Sequence, residues 1–213
     1  MRLTKEAAVR RIHECAVAYH ENLLGRNVLF LTFTGNASSY FESAFFVRNF
    51  LHFTGVTTIL NPTQYFRAAL NNKLSKDDIC LNTDGTSELK LDVLPTLMRI
   101  HLVARMVGDY DNSKSLLVTD KIAGTVTAAM GFAEDKETGY YIPNTVLKED
   151  LRKLTKKPQQ RIVATFRKTQ KEERYSELSY FVKDISELGN GVLTVINDRI
   201  DSELNRFFLS LAP

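Results

Sequence analysis

The sequence predicts an α+β domain in which helices pack on an antiparallel sheet. Three observations predict it. Apolar residues at helical spacing dominate the first hundred positions and return at the C-terminal end. From Met106 onward, short β-branched and aromatic pieces are separated by turn residues, with connections too short for crossover helices. Helical and strand-like segments also come in separate runs, which disfavours an alternating α/β chain with a parallel sheet. The 213 residues fit one domain, 1–213, since domains typically hold roughly 100 to 200 residues.

The elements follow in order. Ile12, Cys15, Ala16, Tyr19 and Leu23 recur at helical spacing, with Thr4 placed to cap the helix and Gly25 to stop it. His13 and His20, seven apart on its flank, read as helix-surface residues without chemistry. Residues 27–34 are β-branched and aromatic and read as a strand. The aromatic stretch 40–56, with Phe41, Phe45, Phe46, Phe50 and Phe53, predicts a strand and a bend ending at Gly55. Pro62 and Thr63 open a short helix through Tyr65, Ala68, Ala69 and Leu70. After the turn Asn82-Thr83-Asp84-Gly85, Leu91, Leu94, Leu97, Met98, His101 and Arg105 share one helical face, with Pro95 in its first turn or kinking it.

Antiparallel strands are expected at 106–107, 115–119, 126–132 and 140–142. Pro143-Asn144-Thr145 opens a predicted short helix, with Val146, Leu147, Leu151 and Leu154 inward and Lys148, Arg152, Lys153 and Lys156 outward. Residues 161–168 read as a strand with Ile162, Ala164 and Phe166 on one side, and 178–184 as another. Gly189-Asn190-Gly191 is a turn, and Ile196, Ile200, Leu204, Phe207, Phe208 and Leu211 close the chain as an amphipathic helix.

Composition removes whole classes. At 44% hydrophobic and 25% charged, with 10 Gly and 5 Pro, the chain is neither disordered nor low-complexity. Its longest apolar runs, such as Val28-Leu29-Phe30-Leu31, fall far short of the roughly 20 residues that span a membrane. The opening Met-Arg-Leu-Thr-Lys-Glu lacks the apolar region of a secretory signal, so a cytoplasmic location and no membrane partner are expected. Cys15 and Cys80, far apart and without a Cys-x-x-Cys, read as reduced, mostly buried thiols. No phosphate loop, dinucleotide fingerprint, His-Glu-x-x-His pair or Gly-x-Ser-x-Gly elbow occurs. No cofactor and no metal are expected, although carboxylates from distant segments are free to converge.

Charge is unevenly placed. Twenty-eight Lys and Arg against 25 Asp and Glu leave +3 for the chain. Between Lys148 and Lys171, however, nine basic residues face only Glu149 and Asp150, a net +7 that leaves the rest of the chain net negative. Such a stretch is either a solvated face or the footprint of a phosphate backbone.

Several short blocks stand out: Asn49-Phe50-Leu51-His52-Phe53-Thr54-Gly55, Leu117-Val118-Thr119-Asp120-Lys121, Gly131-Phe132, Tyr140-Tyr141-Ile142-Pro143-Asn144-Thr145, Asp150-Leu151-Arg152 and Phe166-Arg167-Lys168. In this order they resemble a phage-associated nuclease-like family grouped with barnase, EndoU, colicin and RelE-type ribonucleases. The resemblance covers a core of about 41–184, and it implies that the N-terminal helix and strand (1–40) and the C-terminal helix (190–213) are additions. It implies a small barnase/RelE-like α+β fold and metal-independent cleavage of RNA. That chemistry needs a base for a ribose 2′-hydroxyl, an acid for the leaving 5′-oxygen, and cations around the phosphate. His52 is the expected base or acid, with Lys121, Arg152 and Lys168 as the cations. Thr54, Asp120, Tyr140, Tyr141, Lys156, Lys157 and Arg161 are the expected substrate contacts, a tyrosine stacking a base or donating a proton. Each has a plain alternative: a buried histidine, a turn aspartate, a solvated lysine. The rival function is a non-enzymatic accessory protein of a phage or mobile element that binds nucleic acid, a protein partner or an inhibitor on the same scaffold.

Overall fold

The computed structural model describes residues 3–35, 37–113, 117–185 and 191–210. Helix α1 (Lys5–Asn22) starts as expected, the Thr4 hydroxyl accepting the Ala7 N–H, and Gly25 turns the chain at φ 70°. Strand β1 (Arg26–Thr34) follows and hairpins into β2 (Ala37–Ala44). The predicted strand over 40–56 ends at Ala44. Buried Asn49, Phe50, Phe53 and Thr54 instead follow helical spacing in α2 (Asn49–Thr54), closed by Gly55 at φ 63°. The two-residue strands β3 (Val56–Thr57) and β4 (Cys80–Leu81) form a minor ribbon flanking α3 (Pro62–Leu70), whose Asn61 and Gln64 make a reciprocal cap.

The next predicted helix begins earlier and divides in two. Helix α4 (Thr86–Leu97) carries Pro95 in its interior, and a break precedes α5 (Ile100–Val103). Strands β5 (Met106–Asp109), β6 (Lys121–Gly124), β7 (Ala129–Glu134) and β8 (Tyr141–Leu147) form an antiparallel meander. Two expectations change here. Residues 117–119 precede the strand and are not in it, Ser115 and Leu116 lying outside the described residues, and 125–128 turn between β6 and β7. Pro143 does not open a helix: it sits in β8 beside a bulge of the β7 ladder, a site where the missing N–H is tolerated. The helix comes later, as α6 (Leu151–Leu154).

Strand β9 (Gln160–Thr169) pairs with β1 along nearly its whole length, and β10 (Glu177–Phe181) flanks it. A bulge against Leu31 and Thr32 shifts the alternation, so Ile162 joins one apolar group while Val163, Ala164 and Phe166 join another. After α7 (Gly191–Thr194), Ile196 and Ile200 lie in turns ahead of α8 (Ser202–Ser210). The helix predicted from Ile196 therefore starts later, and Leu211, Gly189 and Asn190 fall outside the described residues.

The pairings run β1-β2-β8-β7-β6-β5-β9, and the additional β1–β9 ladder closes the ring. All are antiparallel except β2–β8, a seam held by the single pair Ser43↔Tyr141. Inside the ring and under α1 to α4 lies the largest apolar group, in which Tyr19 and Phe50, Phe30 and Phe41, and Phe41 and Phe132 are in ring contact. The other face of β1 and β9 packs against Tyr175, Val182, Ile196, Ile200 and Phe208. Thus β1, expected as part of an addition to the core, is an interior strand buried on both faces, and the order is not helices first and strands later. Cys15 is buried, its thiol pushed up to about 12 by burial, whereas Cys80 is exposed. Among the described residues no helix is long and apolar enough to cross a membrane.

Candidate functional site

The register of the strands builds one polar group on the outer face of β1 and β9. Asn27 of β1 stands opposite Lys168 of β9, and Leu29 opposite Glu42 of β2. Because side chains alternate, Asn27, Glu42 and Lys168 all point to the face that the C-terminal segments cover. Tyr175 reaches this face between β9 and β10, and its backbone pairs with Arg199 and Asp201. The Arg199 guanidinium lies 3.3 Å from Glu42 Oε2. Lys168 Nζ donates to the Glu173 carbonyl at 2.8 Å and lies 4.8 Å from the Tyr175 ring centre. Tyr140, just before β8, joins them, its phenol raised by burial and by Glu42.

Burial makes this group chemically unusual. Lys168 is 7% exposed, and that burial lowers its pKa despite Glu42 nearby. The Asn27 carbonyl oxygen is buried without a hydrogen-bond partner among the described residues, and the buried Tyr175 hydroxyl and Glu42 carboxylate act on one another. Poorly paired buried polar atoms are costly, so their concentration in one place makes this group a candidate site. Arg199, with 44% of its side chain exposed, faces solvent.

The other expected site residues are dispersed. His52 is exposed on α2, its carbonyl held by Lys90 at 2.9 Å. Thr54 is fully buried, its hydroxyl donating to Leu51 and accepting from Tyr65, so it belongs to the helix layer and is out of a substrate's reach. Lys121 bonds Asp109 at 2.8 Å and lies 5.5 Å from the Tyr141 ring centre, with Asp120 and Glu134 acting on the same phenol. Three carboxylates around the Tyr141 phenol, one of them bound to Lys121, repel a phosphate there. Asp120 also accepts the Glu134 N–H. Arg152 closes on Asp150, the N-cap of α6, which raises its pKa, and Arg161 is held by both oxygens of Asp184. No hydrogen bond, ion pair or ring contact joins His52, Lys121, Arg152 and Lys168 among the described residues.

The net +7 of 148–171 is correspondingly smaller as a surface. Lys148 pairs with Asp92, Arg152 with Asp150, Lys153 with Glu149, Arg161 with Asp184 and Arg167 with Glu177. Lys156 and Lys157 are exposed beyond α6 and make no ion pair among the described residues.

Of this candidate group, the sequence pointed to Lys168 and Tyr140 and not to Asn27, Glu42, Tyr175 and Arg199. It also missed His101, 2% exposed on α5, with Nδ1 unpartnered. Burial, then the Arg167, Arg26 and Arg99 guanidinia, lower its pKa from 6.5 to about 3. Below about pH 6.5 the unfolded chain therefore takes up a proton that the folded one refuses until about pH 3, so stability falls as pH falls across that window. Urea melts between pH 7 and 4 should lose up to about 1.4 kcal/mol per pH unit more in the native protein than in His101→Leu. Equal slopes would show that His101 titrates normally.

A mostly antiparallel closed sheet with a helical layer is consistent with an α+β nuclease fold. A family model, that of the phage-Barnase-EndoU-ColicinE5/D-RelE like nuclease4 family, matches residues 11–184, and the chain belongs to that family. Membership implies a nucleic-acid substrate. The match begins inside α1 and spans β1, so both lie within the family's own fold, while Arg199 lies beyond it. Comparison with curated proteins and with solved structures gives no match.

Proposed function

We propose that the protein is a metal-independent endoribonuclease, and that the buried group around Lys168 is its active site. The observation that carries this reading is Glu42: one carboxylate oxygen faces Arg199 and the other is buried beside the Tyr175 hydroxyl and a desolvated lysine. Glu42 takes the proton of a ribose 2′-hydroxyl, and the new bond from that oxygen to phosphorus forms as the bond from phosphorus to the 5′-oxygen breaks. Arg199 holds the non-bridging oxygens from the solvent side. Lys168, whose lowered pKa makes it a better proton donor, protonates the leaving 5′-oxygen. Tyr140 stacks a base, and Lys156 and Lys157 draw the strand in.

Purified protein incubated with a mixed RNA pool in EDTA should leave 2′,3′-cyclic phosphate termini and spare DNA of the same sequence. RNA left intact at high protein concentration would sink the catalytic reading. RNA bound but uncut would favour the rival accessory role, for which the near-closure of the site over Lys168 is the supporting observation.

A further inference from the structure

The opposite face of the same strand pair carries a second polar group that the proposed chemistry leaves unused. Arg167 of β9 stands opposite Val28 of β1 on one side and Glu177 of β10 on the other. Arg26 opens β1 at the same end. Glu177 accepts from both arginines at once: Arg26 reaches Oε1 at 2.6 Å and Arg167 reaches Oε2 at 2.8 Å. Arg167 also donates to the Asn22 carbonyl at 3.0 Å.

One donor is left over here. Arg167 Nε is buried with no acceptor among the described residues. His101 adds no compensating charge, since it stays neutral beside the guanidinia. Two fixed positive charges therefore share one carboxylate in direct contact, with Glu172 further off beside Arg26, and the shared carboxylate is the outer member, 40% exposed on a strand at the sheet's margin. A carboxylate spanning two guanidinia with its two oxygens reproduces the way two non-bridging phosphate oxygens are gripped.

We propose that Arg26 and Arg167 form an oxyanion subsite for a phosphodiester of the nucleic-acid strand, with Glu177 occupying it as a built-in stand-in. The proposal rests on the nuclease reading for its ligand. Arg167 and Lys168 are adjacent on β9 and point to opposite faces, so a strand rounding this end of β1 and β9 meets the subsite and the Lys168 group in succession. The strand must displace the Glu177 carboxylate to bind, which keeps the subsite weak for lone anions and reserves it for a ligand anchored elsewhere as well.

The test uses the full chain and a DNA hexanucleotide, which lacks the 2′-hydroxyl and so stays uncut. By calorimetric titration, Glu177→Gln should bind it about tenfold more tightly than the native protein, and adding Arg167→Gln should abolish the gain. A second route works by loss: Arg26→Gln in the native background should weaken hexanucleotide binding about threefold or more. Unchanged affinity in Glu177→Gln, or a gain that survives Arg167→Gln, overturns the subsite; if Glu177→Gln does not fold, unchanged affinity in Arg26→Gln does so. Inorganic phosphate is titrated in parallel, and a gain confined to it overturns the strand assignment in favour of a free-phosphate site. Cleavage of RNA by the native protein, measured separately, keeps the two readings apart. Cleavage without the binding gain removes only the subsite, and the gain without cleavage removes only the catalytic reading.

Discussion

Lys168→Met should lower RNA cleavage about a hundred- to a thousandfold, the usual cost of removing one preorganised donor from developing charge. The loss should fall on kcat with KM little changed, because the ammonium acts on the leaving oxygen and Arg199 holds the ground-state phosphate. Methionine keeps the apolar stem against Tyr175, so packing is largely retained while the charge and the bond to the Glu173 carbonyl are lost. Glu42→Gln should act on the same step and lose a comparable factor. His52→Ala should cleave as the native protein does, since its side chain is exposed on α2 and joins no other expected catalytic group. Single-turnover rates on a defined RNA separate these outcomes. Full activity in Lys168→Met, or loss in His52→Ala, would move the active site away from β9.

Phe30→Ala should destabilise the fold by roughly 3–5 kcal/mol, against a total of about 5–15 kcal/mol for an ordinary domain. Phe30 is fully buried, stacks on Phe41 at 4.7 Å and meets Phe132 edge-on at 6.4 Å, so truncation opens a cavity that three strands line. Its neighbours Leu29 and Leu31 are equally buried on the other face. A chain beginning at Phe41 should accordingly fail to fold, because β9 would lose its longest ladder and both apolar groups a wall. Urea denaturation followed by circular dichroism measures both. A folded, cooperative 41–213 fragment would return β1 to the status of an appendage.

Local signals were legible where one segment carries its own instruction. Thr4 and Gly25 bracket α1, Pro62 opens α3, and Arg161 and Lys168 lie within β9 as expected. They failed where context overrides the local pattern. The aromatic run after Tyr40 suits a strand by composition, yet Phe50 and Phe53 are three apart and bury one side of a helix. Pro143 looks like a helix start until the β7 bulge supplies a ladder position that needs no N–H. The basic stretch after Lys148 looked like an open cationic face because its partners Asp92, Glu177 and Asp184 lie elsewhere in the chain.

By itself the sequence determined an α+β chain, the family to which it belongs, the principal amphipathic helices, and Lys168 and Tyr140 as residues to watch. Only the tertiary structure decided that Lys168 lies beside Glu42, Tyr175 and Arg199, and that Arg26 and Arg167 share Glu177. The reason is the range of the forces involved. Periodicity is set by neighbours within a turn or a strand, whereas Arg199 meets Glu42 across 157 residues and Arg26 meets Glu177 across 151. Those meetings depend on the register of β1 against β9, where a slip of one residue would exchange the faces that carry Arg167 and Lys168.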